Sequence, residues 1–137
     1  MRLRATNEEN LVRRQTYRTL PVEEKPNTGG KTTHVLIVNF NLKDIGEEEY
    51  RGIAESFAPA FAGLPGLVSK TWLVDAETNT YGGVYVWRSR EASEDYKETD
   101  IYKGMEGNPQ FENFAVREFA VLEGPTRTTG GLAEVSA

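Results

Sequence analysis

The pattern of apolar and polar side chains changes period several times between residues 34 and 123, so we expect one folded unit there. Alternating or short β-branched apolar runs predict four strands, and apolar side chains three and four residues apart predict two helices. The predicted strands cover residues 34–41, 67–74, 81–87 and 115–122. Their order with the helices is β-α-β-β-α-β, which predicts an α+β fold with a ferredoxin-like sheet.

The first predicted helix carries a stripe of apolar residues from Tyr50 to Phe61. Asp44 and Glu47 have the spacing of a capping box, so we expect the helix to begin beside them. Pro59 lies inside the stripe, and because proline cannot donate a backbone hydrogen bond it predicts a kink or a break.

Several short signals predict how the other elements connect. Ser89 is expected to cap the second helix, and a further helical turn is expected after Asp100. Strands two and three are expected to form a hairpin with Asn79 at its tip. Gly82 and Gly83 open strand three and predict a bulge or a close approach of two backbones.

Strand one carries apolar side chains on both of its faces. Leu36, Val38 and Phe40 alternate on one face, and Val35 and Ile37 lie on the other. Helices that follow this topology cover one face only, so the second face needs another cover. Two sheets packed face to face in a homodimer would provide it, which predicts a dimeric α/β barrel.

Polar composition sets the expected boundaries: residues 1–33 form a basic arm, 34–123 the domain and 124–137 a tail. The arm holds seven Arg or Lys residues and four Glu residues, whereas the rest holds nine basic and seventeen acidic residues. An acidic domain argues against nucleic acid as a partner. The arm could dock on an acidic surface of its own dimer, or it could only aid solubility.

The composition excludes several kinds of site. There is no cysteine, which rules out disulfides and thiolate chemistry, and the one histidine leaves no convincing metal site. The acidic run at residues 47–49 is contiguous, so its carboxylates do not share a helical face. No apolar run approaches the roughly 20 residues that cross a bilayer, and a cytoplasmic location is expected.

Four segments together resemble the YdhR-like family of the antibiotic-biosynthesis-monooxygenase superfamily. They are VLIVNF at 35–40, GLVSKTWL at 66–73, GGVYVW at 82–87 and LEGPT at 122–126. The resemblance implies a dimeric α/β barrel with a pocket between the sheet and the helices. It also implies a small aromatic or polyketide-like substrate, with molecular oxygen as co-substrate and neither metal nor flavin as cofactor.

The superfamily also contains enzymes that degrade haem, isomerise lactones or cyclise polyketides. Haem-degrading relatives ligate iron through a histidine on the second helix, and residues 89–106 contain none, which disfavours that activity. Three hypotheses remain: a cofactor-independent monooxygenase, a non-redox isomerase or cyclase of natural-product biosynthesis, and a non-catalytic ligand-binding or accessory protein.

Aromatic side chains on the hairpin are the clearest candidates for a binding pocket. Tyr85 and Trp87 alternate on strand three, and Lys70 and Trp72 alternate on strand two, so each pair shares a face. Flat apolar walls with few polar groups suit an aromatic substrate, although the same rings could be ordinary core. The predicted substrate-binding residues are Trp72, Trp87, Phe40, Phe57, Phe61 and Arg117.

The predicted catalytic residues are Asn39, Lys70 and Tyr85, which would favour the anionic form of a substrate. Asn39 places an amide in an apolar strand, where an N–H could stabilise a phenolate or a peroxy anion, or could make a structural hydrogen bond. The resemblance implies an Asn in the pocket, and Asn39 or Asn41 could correspond. His34, the one histidine, is a candidate general base because an imidazole can accept a proton, but its place at the start of strand one predicts surface exposure.

Overall fold

The computed structural model describes residues 33–132, which contain four strands and four helices. The strands are β1 (His34–Leu42), β2 (Leu67–Asp75), β3 (Thr80–Trp87) and β4 (Phe111–Ala120). The helices are α1 (Glu47–Ala62), α2 (Arg90–Lys97), α3 (Asp100–Glu106) and α4 (Glu123–Thr128). The predicted arm, apart from Thr33, and the last five residues of the predicted tail lie outside the described residues.

The four strands form one antiparallel sheet in the order β2-β3-β1-β4. This order and the β-α-β-β-α-β succession confirm the predicted ferredoxin-like arrangement. The turn between β2 and β3 makes the expected hairpin. Asn79 lies in it with a positive φ of 56°, a conformation that asparagine tolerates better than most residues.

The helices cover one face of the sheet, and the other face is open in the single chain. Along β1 the buried residues alternate with half-buried ones, and the buried set starts at His34 and ends at Leu42. The register places Leu36 beside Tyr85 and Phe40 beside Tyr81, so all four side chains point towards the helices. This helix-covered face is the core, and it is unusually rich in aromatic rings.

Helix α1 differs from its prediction at its start and at Pro59. It begins after Gly46, whose position offers no capping side chain, while Asp44 adopts a positive φ of 67°. The predicted capping box is therefore wrong, because Asp44 is not in the geometry of an N-cap. The helix also continues through Pro59, so the predicted break is wrong. Proline removes only the hydrogen bond to the carbonyl of Glu55, and the surrounding turns persist.

The caps of the two following helices match the sequence signals. The Ser89 hydroxyl accepts a hydrogen bond from the backbone N–H of Ala92, which confirms the predicted cap of α2. Thr99 caps α3 in the same way through the N–H of Tyr102, and α3 is the helical turn expected after Asp100.

Strand β3 confirms the close backbone approach predicted for its two glycines. Gly82 has a φ of 146°, and a Cβ atom there would lie 1.9 Å from the carbonyl oxygen of Val38. Only glycine fits such a position, because any side chain would collide with the neighbouring strand.

Strand β4 begins four residues earlier than predicted, at Phe111. Asn113 has a positive φ of 58°, and the pairing with β1 shifts register between Asn39 and Asn41. This irregularity interrupts the alternation on which the prediction depended. Helix α4 lies in the segment predicted as a tail, which sequence patterning did not reveal. Within residues 33–132 no helix is long and apolar enough to cross a membrane.

Candidate functional site

Lys70 lies in a cage of aromatic rings on the helix-covered face. Its Nζ atom is 3.5 Å from the ring centroids of Phe61 and Trp72 and 4.5 Å from that of Tyr85. The three rings come from α1, β2 and β3, so the cage exists only in the folded chain. Distances this short are typical of strong cation–π contacts when the amine is protonated.

The cage supplies no carboxylate to pair with Lys70. Among the described residues, no acidic side chain lies within ion-pair distance of its Nζ atom. Burial without a counter-ion disfavours the charged form and lowers the pKa of Lys70 to about 7. The side chain is therefore an amine whose two protonation states are both accessible near neutral pH.

Gly83 makes room for the end of this lysine. A Cβ atom at position 83 would lie 2.8 Å from Cε of Lys70. Trp72 pairs across the hairpin with Gly83, so no side chain on β3 competes with the indole there. We call Phe61, Trp72, Tyr85 and Gly83 the lysine cage. Gly83 was predicted to allow a close approach of two backbones. Its contact with Lys70 could not be predicted, because that prediction needs the register between β2 and β3.

Tyr85 was predicted to be catalytic, and the structure places it next to Lys70 but deep in the core. It is 1% exposed, and its hydroxyl lies 2.9 Å from the hydroxyl of Tyr96. Burial strongly raises the pKa of Tyr85, so its hydroxyl stays protonated. The ring forms part of the cage wall, and the hydroxyl is already used by Tyr96.

Trp87 packs in the core and does not line either of two cavities that the described residues form on the helix-covered side. It is fully buried and stacks on Tyr85, with ring centroids 6.0 Å apart. Its indole Nε1 is a buried donor with no hydrogen-bond partner in the part of the chain that the structure describes. Its predicted role in substrate binding therefore gains no support from this geometry.

The larger of the two cavities has a volume of about 380 Å³ and lies between the sheet and helices α1 and α3. Aromatic and aliphatic side chains make most of its wall, and Asp100 and Asn108 are the polar side chains in it. Among the predicted binding residues, Phe40, Phe57 and Trp72 line this cavity. Phe61 instead covers Lys70. Lys70 is separated from the cavity by one residue, because the indole of Trp72 contacts both.

A second cavity of about 320 Å³ lies on the other side of α1, towards the edge strand β2. It shares Tyr50, Ala54 and Trp72 with the larger cavity. Its wall holds two carboxylates, Glu47 and Glu55, together with the cation of Arg51. Sequence patterning placed Tyr50 and Ala54 on the buried face of α1 but did not indicate a cavity there.

Asn39 and Arg117 point away from both cavities. Asn39 pairs with Gly82 and Arg117 with Ile37, a register that puts both side chains on the open face of the sheet. The Asn39 amide makes a long hydrogen bond of 3.5 Å to the carbonyl oxygen of Tyr81. Asn39 lines neither cavity, because strand alternation sends every second residue of β1 to the opposite face, so its predicted place in the pocket gains no support from this geometry.

The alternative, Asn41, is two residues further along β1 and therefore shares that open face. Its amide donates to the carbonyl oxygen of Asn79 at 2.8 Å, which fits the structural hydrogen bond at a strand end that the sequence also allowed. Arg117 packs near the ring of Phe119, 5.3 Å away, and not against a cavity.

His34 is buried, contrary to the exposure predicted for it. Its Nε2 lies 2.8 Å from Oε1 of Glu118, and Glu118 also accepts hydrogen bonds from Lys97 and Ser93. We call these four residues the Glu118 cluster. It joins β1, α2 and β4 but contributes to neither cavity. The pairing of β1 with β4 brings His34 beneath α2, which a terminal position in the first strand does not reveal. Within residues 33–132, no group of three or more acidic or histidine side chains is placed to hold a metal ion.

The sequence pattern of one protein family, described as "Putative mono-oxygenase ydhR", matches residues 35–132 of this chain. The chain belongs to this family. The match spans all four strands and covers both cavities and the lysine cage. No curated protein matches the sequence.

Solved structures share the fold of this ydhR family member at low sequence identity. SnoaB, a cofactor-independent oxygenase from Streptomyces nogalater, is 17% identical with a TM-score of 0.54, covering 66% of this chain and 93% of its own. Rv0793 from Mycobacterium tuberculosis is 16% identical with a TM-score of 0.57, covering 67% and 97%. A dimeric ferredoxin-like protein from Thermobifida fusca is 13% identical with a TM-score of 0.55, covering 66% and 92%. At these identities the likeness establishes the fold alone.

Proposed function

We propose that this protein is a cofactor-independent monooxygenase that oxidises an electron-rich aromatic or polyketide-type molecule in the larger cavity. The observation that carries the proposal is the position of the Lys70 amine. It lies in an aromatic cage that contains no carboxylate, and this cage is next to a cavity with mostly apolar walls. Membership of the ydhR family and the fold shared with SnoaB agree with this choice.

Lys70 acts as the general base in this proposal. A neutral amine accepts the proton of a phenolic hydroxyl, and the ammonium formed stays near the aryl oxide anion. The aromatic cage then stabilises the cation through the faces of Phe61 and Trp72. The Nζ atom has to move past the edge of Trp72 to reach a substrate, which the flexible lysine side chain permits.

The substrate anion is the reductant. It passes one electron to molecular oxygen, and the resulting radical pair combines to form a carbon–oxygen bond and a peroxide. The oxygen–oxygen bond then breaks as the same carbon loses a proton. One oxygen atom remains on the substrate as a carbonyl and the other leaves as water. The protein contributes orientation and a water-poor cavity.

We also propose that the protein is a homodimer formed through the open face of the sheet. Val35, Ile37, Val84 and Val86 are only half-buried there, and Phe119 is 45% exposed. A second sheet packed against this face would bury these side chains, as the dimeric ferredoxin-like fold of the Thermobifida fusca protein suggests by analogy. Sedimentation at micromolar concentration tests this proposal: a monomer would contradict it.

Oxygen uptake with a panel of hydroxynaphthalenes and hydroxyanthracenes tests the proposed reaction. We expect uptake of one molecule of oxygen for each molecule of ketone or quinone formed, without added metal or flavin. The matched control is Lys70→Met, which keeps an unbranched apolar side chain in the cage and removes the base.

A second candidate function uses the same base without oxygen. A lysine that moves a proton beside an aromatic cavity also suits an isomerase or a cyclase. Turnover that continues under anaerobic conditions would select this alternative. Binding without turnover in either atmosphere would instead indicate a ligand-binding or accessory protein.

A further inference from the structure

We propose, resting on the function proposed above, that the two cavities form one elongated site and that the smaller cavity binds a positively charged amine on the substrate. The larger cavity then holds the aromatic ring system that reacts. Nothing in the proposed oxygenation requires this second compartment, so it determines which substrates bind and not how they react.

Shared walls connect the two cavities. Tyr50, Ala54 and Trp72 line both of them, so α1 and β2 contribute to both compartments at the point where they meet. Ala54 is the small residue of the three and faces this junction from the helix. A flat molecule that lies against Trp72 in the larger cavity can therefore extend a substituent past Ala54 into the smaller one.

The smaller cavity has a negative balance of charge. Glu47 and Glu55 line it against the single cation of Arg51, which lies 2.9 Å from Glu47. Among the described residues, Glu55 has no ion-pair partner and stays exposed at the rim. Asp75 ends β2 directly after Val74, another residue of the wall, and adds a further carboxylate nearby.

Aromatic faces accompany these carboxylates. Tyr50 and Tyr81 meet edge to face in the smaller cavity, with ring centroids 5.2 Å apart, and Trp72 completes the wall. The hydroxyl of Tyr81 donates a hydrogen bond to Glu47 at 3.0 Å and so fixes the carboxylate beside the rings. Aromatic faces combined with carboxylates favour an ammonium group over a neutral or an anionic one.

Three naphthols with the same ring test the proposal. They differ only in a three-carbon arm that ends in an ammonium, a hydroxyl or a carboxylate group. Binding is measured by calorimetry under nitrogen at low salt, so that turnover does not interfere. We expect the ammonium compound to bind about tenfold more tightly than the hydroxyl compound, and the carboxylate compound to bind most weakly. Equal affinities, or tightest binding of the carboxylate, would overturn the proposal.

Two matched variants separate a local site from a general effect of charge. Glu55→Gln removes a carboxylate of the smaller cavity, and we expect it to reduce the preference for ammonium about threefold. Glu49→Gln removes the same charge from an exposed position of α1 outside both cavities and should leave the preference unchanged. An equal loss in both variants would mean that net charge alone attracts the amine, which overturns the proposed site.

Oxygen uptake distinguishes this inference from the function on which it rests. If the ammonium compound is preferred but no naphthol consumes oxygen, the oxygenase proposal fails while the amine site stands. If naphthols consume oxygen with no preference among the three arms, the amine site fails and the oxygenase proposal stands.

Discussion

Two lysines on the helix-covered side of the sheet have pKa values that are shifted in opposite directions. Lys97 is 23% exposed and lies against Glu118, and Lys70 is enclosed by the rings of the lysine cage. Burial alone would lower the pKa of Lys97, but the hydrogen bond with Glu118 and the negative charges of Glu118 and Glu94 together outweigh burial and raise it. Burial of Lys70 has no such compensation and lowers its pKa to about 7. Deeper burial without a counter-ion makes Lys70 a base, whereas shallower burial beside a carboxylate keeps Lys97 a fixed cation.

The two regions therefore serve different purposes. In the Glu118 cluster, each charge has an opposite charge or a hydrogen-bond partner, which favours stability and a fixed geometry. In the lysine cage, the amine has only ring faces around it, so it can lose and regain a proton. Substitutions in the cage should therefore change the chemistry, and substitutions in the Glu118 cluster should change the stability.

The largest expected effect comes from Lys70→Met. Loss of the base should reduce the rate of oxygen uptake by about 100-fold or more, while methionine fills the cage and preserves the fold. Steady-state oxygen uptake measures the rate, and circular dichroism checks the fold. Lys97→Met is the matched control: it should keep the rate and lose stability. A Lys70→Met variant with a rate within threefold of the original would remove Lys70 from the mechanism.

Glu118→Gln should affect stability and leave the chemistry intact. The amide keeps the shape of the side chain but leaves Lys97 with only Glu94, 3.7 Å away, as a counter-ion, and it weakens the bond with His34. We expect the free energy of unfolding to fall by about 2 kcal/mol, measured by urea denaturation at pH 7. A loss below about 0.5 kcal/mol would mean that the Glu118 cluster contributes little.

The lowered pKa of Lys70 predicts that stability depends on pH. Between pH 7 and the ordinary lysine value of 10.5, the unfolded chain binds a proton that the folded protein does not. The free energy of unfolding should therefore rise with pH across this window, by up to about 1.4 kcal/mol per pH unit. Urea denaturation of the protein and of Lys70→Met from pH 7 to 9 isolates the contribution. Parallel curves for the two would contradict the lowered pKa.

Gly83→Ala should move Lys70 without unfolding the strand. Gly83 has no positive φ, and its new methyl group would press mainly on the flexible end of Lys70. Displaced towards water, the amine should regain a higher pKa, so the rate at pH 7 should fall about tenfold and the pH profile should shift upward. Gly52→Ala is the control, because a Cβ atom there meets nothing within 4 Å. An unshifted profile in Gly83→Ala would argue against the cage as the cause.

The smallest effect is expected from Asn39→Ala. Its side chain lies on the open face, across the sheet from both cavities, so kcat/KM for oxygen uptake should change by less than about twofold. A tenfold loss would show that the open face takes part in the reaction and would return Asn39 to the site.

The order of elements could be predicted from the sequence because local periodicity determines it. Alternation along β1 assigns Leu36 and Val35 to opposite faces, and the hairpin of β2 with β3 brings Lys70 beside Tyr85. The same alternation excludes Asn39 from the helix-covered face, since it has the parity of Val35. The family resemblance favoured an Asn in the pocket, whereas the local geometry of the strand places this side chain on the open face.

Long-range contacts could not be predicted from periodicity. The lysine cage needs Phe61 from α1 against β2, and the bond between His34 and Glu118 joins residues 84 positions apart. The residue at which a helix or strand begins also depends on single backbone angles, such as the positive φ of Asp44 and of Asn113. Neither kind of feature leaves a periodic signal in the sequence.

Pro59 removes a backbone hydrogen bond from α1 between the residue that lines the larger cavity and the residue that covers Lys70. Before it, Phe57 forms part of the roof of the larger cavity; after it, Phe61 closes over Lys70. The missing hydrogen bond at the carbonyl of Glu55 makes this turn the place where the helix bends at least cost. We therefore expect a bend at this turn to change the position of Phe57 more than that of Phe61, so that the size of the accepted molecule depends on one part of the helix and the basicity of Lys70 on the other.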